Sequence, residues 1–158
     1  MTYNVLVIGS GGREHAIVDA LKRSESVGRI YCAPGNAGID TAATPVSIPV
    51  TDINDLARFA TDASVSLTVV GPEVPLAAGI VDEFRKRGLR IFGPTKAAAQ
   101  IESSKAFAKE LMARHNIPTA ASRTFDDFDE ALKYVLAGPE RSVIKYDGLA
   151  AGKGVVVA

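Results

Sequence analysis

The first stretch able to bind a ligand is a glycine-rich turn at residues 9–15, which read GSGGREH. It follows a short apolar run and precedes an amphipathic segment, so it joins a strand to the start of a helix. Gly11 and Gly12 let the backbone turn sharply and let a ligand approach its amides. Unpaired N–H groups at a helix N-terminus attract anions. The turn predicts a phosphate site, although a strand–helix turn without a ligand can have the same sequence.

A phosphate monoester suits this turn better than a dinucleotide. The dinucleotide fingerprint needs a third glycine where Glu14 stands, and an acidic residue after the second strand to hold a ribose. The chain instead reads APGNAG at residues 33–38, which on its own indicates a turn. Arg13 can pair with a phosphate or stay solvated. His15, on the first helical turn, is expected to be structural.

A carboxylate follows another short apolar strand, in the segment GPEVPL at residues 71–76. Glu73 in this segment can accept hydrogen bonds from sugar hydroxyls. It can equally cap the helix that follows, and the residue types alone do not choose between the two roles.

A second glycine-rich loop, at residues 144–154, reads IKYDGLAAGKG. It is not a P-loop, because only three residues separate Gly148 from Gly152 and a strand, not a helix, follows Lys153. Lys145 lies in the preceding strand. The pattern predicts a hairpin whose mobile amides and lysines fold over the phosphates of a nucleotide. The alternative is an ordinary hairpin with a solvated Lys153.

Alternating strands and helices must position the first turn and Glu73. Apolar runs predict strands near residues 5–8, 29–33, 46–48, 67–70 and 89–92. Asp52 predicts a helix start, and Leu76, Ile80 and Phe84 form one helical stripe. This order is typical of a parallel sheet, which binds ligands beyond the carboxyl ends of its strands.

Beyond residue 93 the alternation stops. We expect two helices within residues 95–116, a short strand at 121–124, a helix around 128–135, and strands at 142–146 and 154–158. The predicted organisation is a Rossmann-like domain at 1–98, a helical connection at 99–117 and an incomplete further domain at 118–158.

The composition is that of a soluble globular protein, with 47% hydrophobic and 23% charged residues. The 18 basic and 18 acidic side chains balance, so nucleic acid is not an expected partner. The short apolar run at the N-terminus predicts neither a signal peptide nor a membrane span. The single cysteine, Cys32, favours a reducing, cytoplasmic location and is expected to be a buried apolar side chain.

Six stretches taken together resemble the glycinamide ribonucleotide synthetase (phosphoribosylamine–glycine ligase) family of ATP-grasp enzymes. They run in family order along the whole chain. They are VIGSGGREH (7–15), APGNAG (33–38), GPEVPL (71–76), FGPTKAA (92–98), SKAFAK (104–109) and KYDGLAAGKGVVVA (145–158).

The resemblance implies an α/β fold with a Rossmann-like first domain and the beginning of an ATP-grasp domain. It implies ligation of glycine to 5-phosphoribosylamine through a glycyl phosphate, with ATP and Mg²⁺, in purine biosynthesis. The implied substrate-binding residues are Gly11, Gly12, Arg13, Glu14 and Glu73. The implied ATP-binding residues are Lys105, Lys145, Asp147, Gly148, Gly152, Lys153 and Gly154. No catalytic residue and no metal ligand is assigned.

Two departures qualify these expectations. Tyr146 stands where the family usually has alanine and can crowd the nucleotide side of its strand. Family members are also much longer, and the part they add carries the acidic Mg²⁺ ligands and the glycine site, so we expect no turnover by this chain alone. A sugar-phosphate-binding fragment without catalysis, or an NAD-binding oxidoreductase domain, remains an alternative.

Overall fold

A computed structural model describes residues 2–138, 141–150 and 152–157. The chain divides into two compact units, residues 1–99 and 100–158. Ala151 of the predicted glycine-rich hairpin loop and Ala158 of the predicted last strand lie outside the described residues.

The first unit contains the predicted parallel sheet. Every strand pairing in it is parallel, and the strand order is β3-β2-β1-β4-β5. The strands are β1 (Tyr3–Gly9), β2 (Val27–Pro34), β3 (Thr44–Pro45), β4 (Leu67–Val70) and β5 (Ile91–Phe92).

Four α-helices lie wholly within the described residues of this unit, a fifth begins in it and ends in the second unit, and a 3₁₀ turn spans Ile39–Thr41. The helices are α1 (Gly12–Lys22), α2 (Ile53–Asp62), α3 (Glu73–Ala78), α4 (Ile80–Lys86) and α5 (Lys96–Ser103). β1 is buried on both faces because helices cover both sides of the sheet. Its residues Leu6 and Ile8 pack in one cluster with Phe84, while Val5 and Val7 pack in another.

Two expectations for this unit were wrong. The apolar stripe from Leu76 to Phe84 lies on two helices, because Gly79 adopts φ +101° and ends α3 before α4 begins. The third strand lies at Thr44–Pro45 and not at 46–48, although the Val46 amide still donates to the Cys32 carbonyl at 2.9 Å. Its position depends on register with β2, which the local sequence does not encode.

The second unit contains α6 (Lys105–Arg114), α7 (Phe128–Ala137), β6 (Val143–Lys145) and β7 (Val155–Val157). The two strands form the predicted antiparallel hairpin, with Lys145 opposite Val155. The expectation of a strand at 121–124 was wrong: these residues form no strand, and the two described strands of this unit pair only with each other. Among the residues described in either unit, none of the helices has the length and apolar character needed to cross a membrane.

Candidate functional site

Three loops of the first unit meet at the carboxyl edge of the sheet. The parallel register places Gly9 opposite Pro34 and Ile8 opposite Val70, so β1, β2 and β4 end side by side. The residues that follow β1 and β4 are the turn in which the sequence predicted a phosphate site and the segment that contains Glu73. This edge is where parallel sheets bind small molecules.

Arg13 connects the first of these loops to the third. Its Nη1 donates a hydrogen bond to the Gly71 carbonyl, and its Nη2 donates to Glu73 Oε1 at 2.9 Å. The Glu73 carboxylate also accepts a hydrogen bond from its own backbone amide, and this bond together with Arg13 lowers the pKa of Glu73. Both side chains keep substantial exposure, 60% for Arg13 and 40% for Glu73, so a ligand can reach the pair.

Asn36 connects the first loop to the second. Its Nδ2 donates to the Ser10 carbonyl at 2.6 Å, while its Oδ1 accepts from the amides of Gly38 and Ile39 at 2.8 and 3.1 Å. Sequence reasoning gave this residue no role. An asparagine between two glycines was the available signal, since its side chain can hydrogen-bond nearby backbone groups.

Glu14 lies on the buried side of the first loop. The residue is 4% exposed, and its Oε2 accepts a hydrogen bond from the Gly11 amide at 2.6 Å. Gly11 is the N-cap of α1. In a capping box the side chain of the third helical residue accepts from the N-cap amide, and Glu14 makes this hydrogen bond with Gly11, which has no side chain to make the other one. Gly11 and Gly12 themselves are exposed at the start of the helix.

His15 and Cys32 lie close to this edge of the sheet. His15 Nε2 is 3.8 Å from Asp19 Oδ2, one helical turn away. Cys32 is fully buried, and its Sγ donates to the Gly9 carbonyl at 3.4 Å. Desolvation, reinforced by the charges of Glu14 and Asp40, raises the pKa of the Cys32 thiol to about 11. The expectation of a buried structural cysteine is confirmed.

In the second unit, Asp147 binds the start of α6. Its Oδ1 accepts from the amides of Lys105 and Ala106 at 2.5 and 3.2 Å, and its Oδ2 accepts from the Ser104 hydroxyl at 3.0 Å. Partial desolvation acts against ionisation, but the hydrogen bonds from Ala106, Ser104 and Lys105 outweigh it and lower the pKa of Asp147. Ser104, the N-cap of α6, had no predicted role.

The remaining predicted ATP-binding residues lie along the hairpin. Lys145 is exposed on β6, and Lys153 is exposed in the loop, where its amide donates to the Ala150 carbonyl at 2.8 Å. Gly148 and Gly152 adopt φ +123° and +77°, which favours glycine. A Cβ at Gly154 would lie 2.7 Å from Ala150 Cβ, so this position also requires glycine.

Tyr146 lies on the hairpin next to these glycines. The residue is 67% exposed, and its ring carbon Cε1 lies 3.1 Å from the position that a Cβ on Gly148 would take. The ring thus lies beside Gly148, where a side chain would meet it.

The described residues contain no group of three or more histidine, cysteine, aspartate or glutamate side chains placed to hold a metal ion.

Two family models match the chain. Residues 3–102 match the phosphoribosylglycinamide synthetase N domain, and residues 103–158 match the phosphoribosylglycinamide synthetase ATP-grasp (A) domain. The expected fold class, a Rossmann-like domain followed by the beginning of an ATP-grasp domain, is confirmed.

Curated relatives have matching sequences. The chain is 57% identical over 155 residues to the phosphoribosylamine–glycine ligase of Halalkalibacterium halodurans, and 59% identical over 154 residues to that of Ralstonia nicotianae. Each alignment covers 98% of this chain and 36% of the relative. The chain thus spans just over a third of the length of these relatives.

Solved structures share the fold. The crystal structure of phosphoribosylamine–glycine ligase from Thermotoga maritima has a TM-score of 0.72 at 31% identity, covering 98% of this chain and 35% of that one. The biotin carboxylase domain of 2-oxoglutarate carboxylase from Hydrogenobacter thermophilus, solved with MgADP and bicarbonate, has a TM-score of 0.75 at 17% identity, covering 99% of this chain and 37% of that one. At that identity the second likeness concerns the fold alone.

Proposed function

The chain belongs to the phosphoribosylglycinamide synthetase family, and from that premise we propose that it contributes the 5-phosphoribosylamine site and part of the ATP site of a glycine ligase in purine biosynthesis. In this reaction the γ-phosphoryl group of ATP passes to a carboxylate oxygen of glycine, and ADP leaves. The amine nitrogen of 5-phosphoribosylamine then attacks the acyl carbon, loses a proton and displaces phosphate. Such chemistry depends on positioning and on neutralising phosphate charge.

The substrate assignment rests on one observation: Arg13, in the first loop, hydrogen-bonds to the third loop. A guanidinium with 60% of its side chain exposed lies beside the glycine turn that opens α1. We assign the phosphate of 5-phosphoribosylamine to Arg13 and to the turn at Gly11 and Gly12, and its ribose hydroxyls to Glu73. An anion beside Arg13 and the positive end of α1 is stabilised by both.

For ATP we assign the phosphates to Lys105, Lys145 and Lys153 and to the amides of the loop from Gly148 to Gly154. Asp147 holds that loop at the start of α6. Mg²⁺ neutralises phosphate charge in reactions of this kind. We propose that none of the ATP-binding residues named above is one of its ligands.

We retain the proposed domain organisation of 1–98, 99–117 and 118–158. The change between the two compact units at residues 99 and 100 supports a boundary in this region. We also propose a cytoplasmic enzyme that acts on small molecules and binds neither nucleic acid nor membrane.

Isothermal titration of the chain with ribose 5-phosphate, ATP and NADH tests this proposal. Ribose 5-phosphate carries the phosphate and ribose of the substrate without its unstable amine. We expect binding of ribose 5-phosphate and of ATP, each unaffected by NADH. Binding of NADH with no response to ribose 5-phosphate would overturn the proposal in favour of a dinucleotide-binding domain. Binding of ribose 5-phosphate without ATP would reduce it to a sugar-phosphate-binding module.

A further inference from the structure

The carboxylate of Glu14 points away from solvent, although it belongs to the loop that receives the substrate. Only 4% of the residue is exposed, and its Oε2 is 2.6 Å from the Gly11 amide nitrogen. A buried carboxylate is costly unless it is hydrogen-bonded. The bond to Gly11 supplies that compensation.

The side chain of Glu14 occupies space that two glycines leave open. A Cβ on Gly71 would lie 1.9 Å from Glu14 Oε1 and 2.5 Å from its Cδ, and a Cβ on Gly9 would lie 2.5 Å from its Cγ. Gly71 has no left-handed φ, so steric contact with Glu14 is the feature that excludes a larger residue there. The carboxylate is thus enclosed between the ends of β1 and β4.

Consecutive residues therefore hold the third loop from two sides. Arg13 donates to the carbonyl of Gly71, while the buried Glu14 side chain fills the space that a Cβ on Gly71 would take. Together they fix the distance between the first and third loops.

We propose that Glu14 is a positioning residue and not a substrate ligand: its carboxylate fixes the Gly11 turn and sets the spacing between the loops after β1 and β4. This inference depends on the proposed function in one respect: the loop that Glu14 positions is the loop to which we assign the substrate phosphate. Because Glu14 holds the Gly11 amide, the Gly12 and Arg13 amides of the first helical turn become the main donors to that phosphate.

A double-mutant cycle tests the packing without any ligand. We expect Gly71→Ala to lower the melting temperature clearly in the wild-type background and much less in the Glu14→Ala background, because the clashing atoms are then gone. Gly12→Ala is the matched control: nothing lies within 4 Å of its added Cβ, so its effect should be the same in both backgrounds. Additive effects of Gly71→Ala and Glu14→Ala would overturn the packing role.

Ligand binding and amide NMR test the positioning role. Glu14→Gln retains an acceptor for Gly11, so we expect ribose 5-phosphate affinity within about threefold of wild type, against a loss of about tenfold or more for Glu14→Ala. The Gly11 amide resonance should shift in Glu14→Gln and should not shift in Glu25→Gln, an exposed control.

Two results would separate the possible failures. If Glu14→Gln loses as much affinity as Glu14→Ala while the Gly11 amide stays protected from exchange, Glu14 contacts the ligand directly and the proposal is wrong. If the wild-type chain binds no ribose 5-phosphate, the proposed function fails, and the double-mutant cycle still decides whether Glu14 sets the loop spacing.

Discussion

The ammonium of Lys105 donates a hydrogen bond to the carbonyl of Gly148 at 2.8 Å, while the neighbouring Asp147 carboxylate accepts one from the Lys105 amide. A lysine assigned to ATP phosphates is thus held by the loop assigned to close over them. To reach a phosphate, the ammonium must exchange the Gly148 carbonyl for a phosphate oxygen. Such an exchange favours the charged partner.

Asp147 should stabilise the start of α6. Replacing it with alanine removes an acceptor shared by the Ser104 hydroxyl and two backbone amides. By analogy with helix N-caps, we expect a loss of about 1 kcal/mol in the free energy of unfolding of this unit. Hydrogen exchange of the Lys105 and Ala106 amides should accelerate. Asp126→Ala, at an exposed position before α7, is the control, and unchanged exchange in Asp147→Ala would contradict the assignment.

Lys145 should contribute to nucleotide affinity without contributing to stability. It is exposed on β6, so Lys145→Ala removes a charge and leaves the core unchanged. We expect ATP affinity to fall about tenfold, the size of one charge-assisted contact. Lys133→Ala, at another exposed lysine of the same unit, should leave the affinity unchanged. Equal affinities of Lys145→Ala and wild type would remove the hairpin from the ATP site.

Arg13 should be required for sugar-phosphate binding, and a lysine in its place should not restore binding. Its two terminal nitrogens reach Gly71 and Glu73 separately, which a single ammonium does not reproduce. We expect Arg13→Met and Arg13→Lys each to weaken ribose 5-phosphate binding by about tenfold or more. Arg23→Met, at an exposed position beyond α1, is the control. Full affinity in Arg13→Lys would show that charge alone matters.

Glu73 should make stability depend on pH in the acidic range. Its folded pKa is lowered, so its contribution is complete above the ordinary pKa of about 4.5 and is lost as the pH falls through the folded value. Glu73→Gln should flatten this part of the stability curve, measured by urea denaturation at a series of pH values. Glu25→Gln should leave it unchanged. Parallel curves for wild type and Glu73→Gln would refute the pairing with Arg13.

Cys32 should react slowly in the folded protein. Its pKa is raised from 9.0 to about 11, which lowers the thiolate fraction roughly 100-fold near neutral pH, and its side chain is fully buried. We expect modification by a thiol reagent such as DTNB to be slow in buffer and fast in guanidinium chloride. Equal rates in the two conditions would show that Cys32 is accessible in the native state.

Local sequence predicted most elements and misplaced three. Buried runs such as Val5 to Ile8 and the glycine hairpin were predicted because their hydrophobic period and turn residues act within a few positions. The continuous helix through Gly79 was wrong because an apolar stripe does not report a left-handed residue inside it. The strands at 46–48 and 121–124 were wrong because strand formation depends on a partner.

Periodicity and glycine chemistry act over a few residues, so they were enough to predict a parallel α/β unit with an amide-rich turn after its first strand. The contacts of Arg13 with Glu73, of Asn36 with Ser10 and of Glu14 with Gly11 appeared only in the folded chain. They could not be predicted because a polar side chain takes the partner that strand register brings within reach. Arg13 and Glu73 are 60 residues apart along the chain and become neighbours only when β1 pairs with β4.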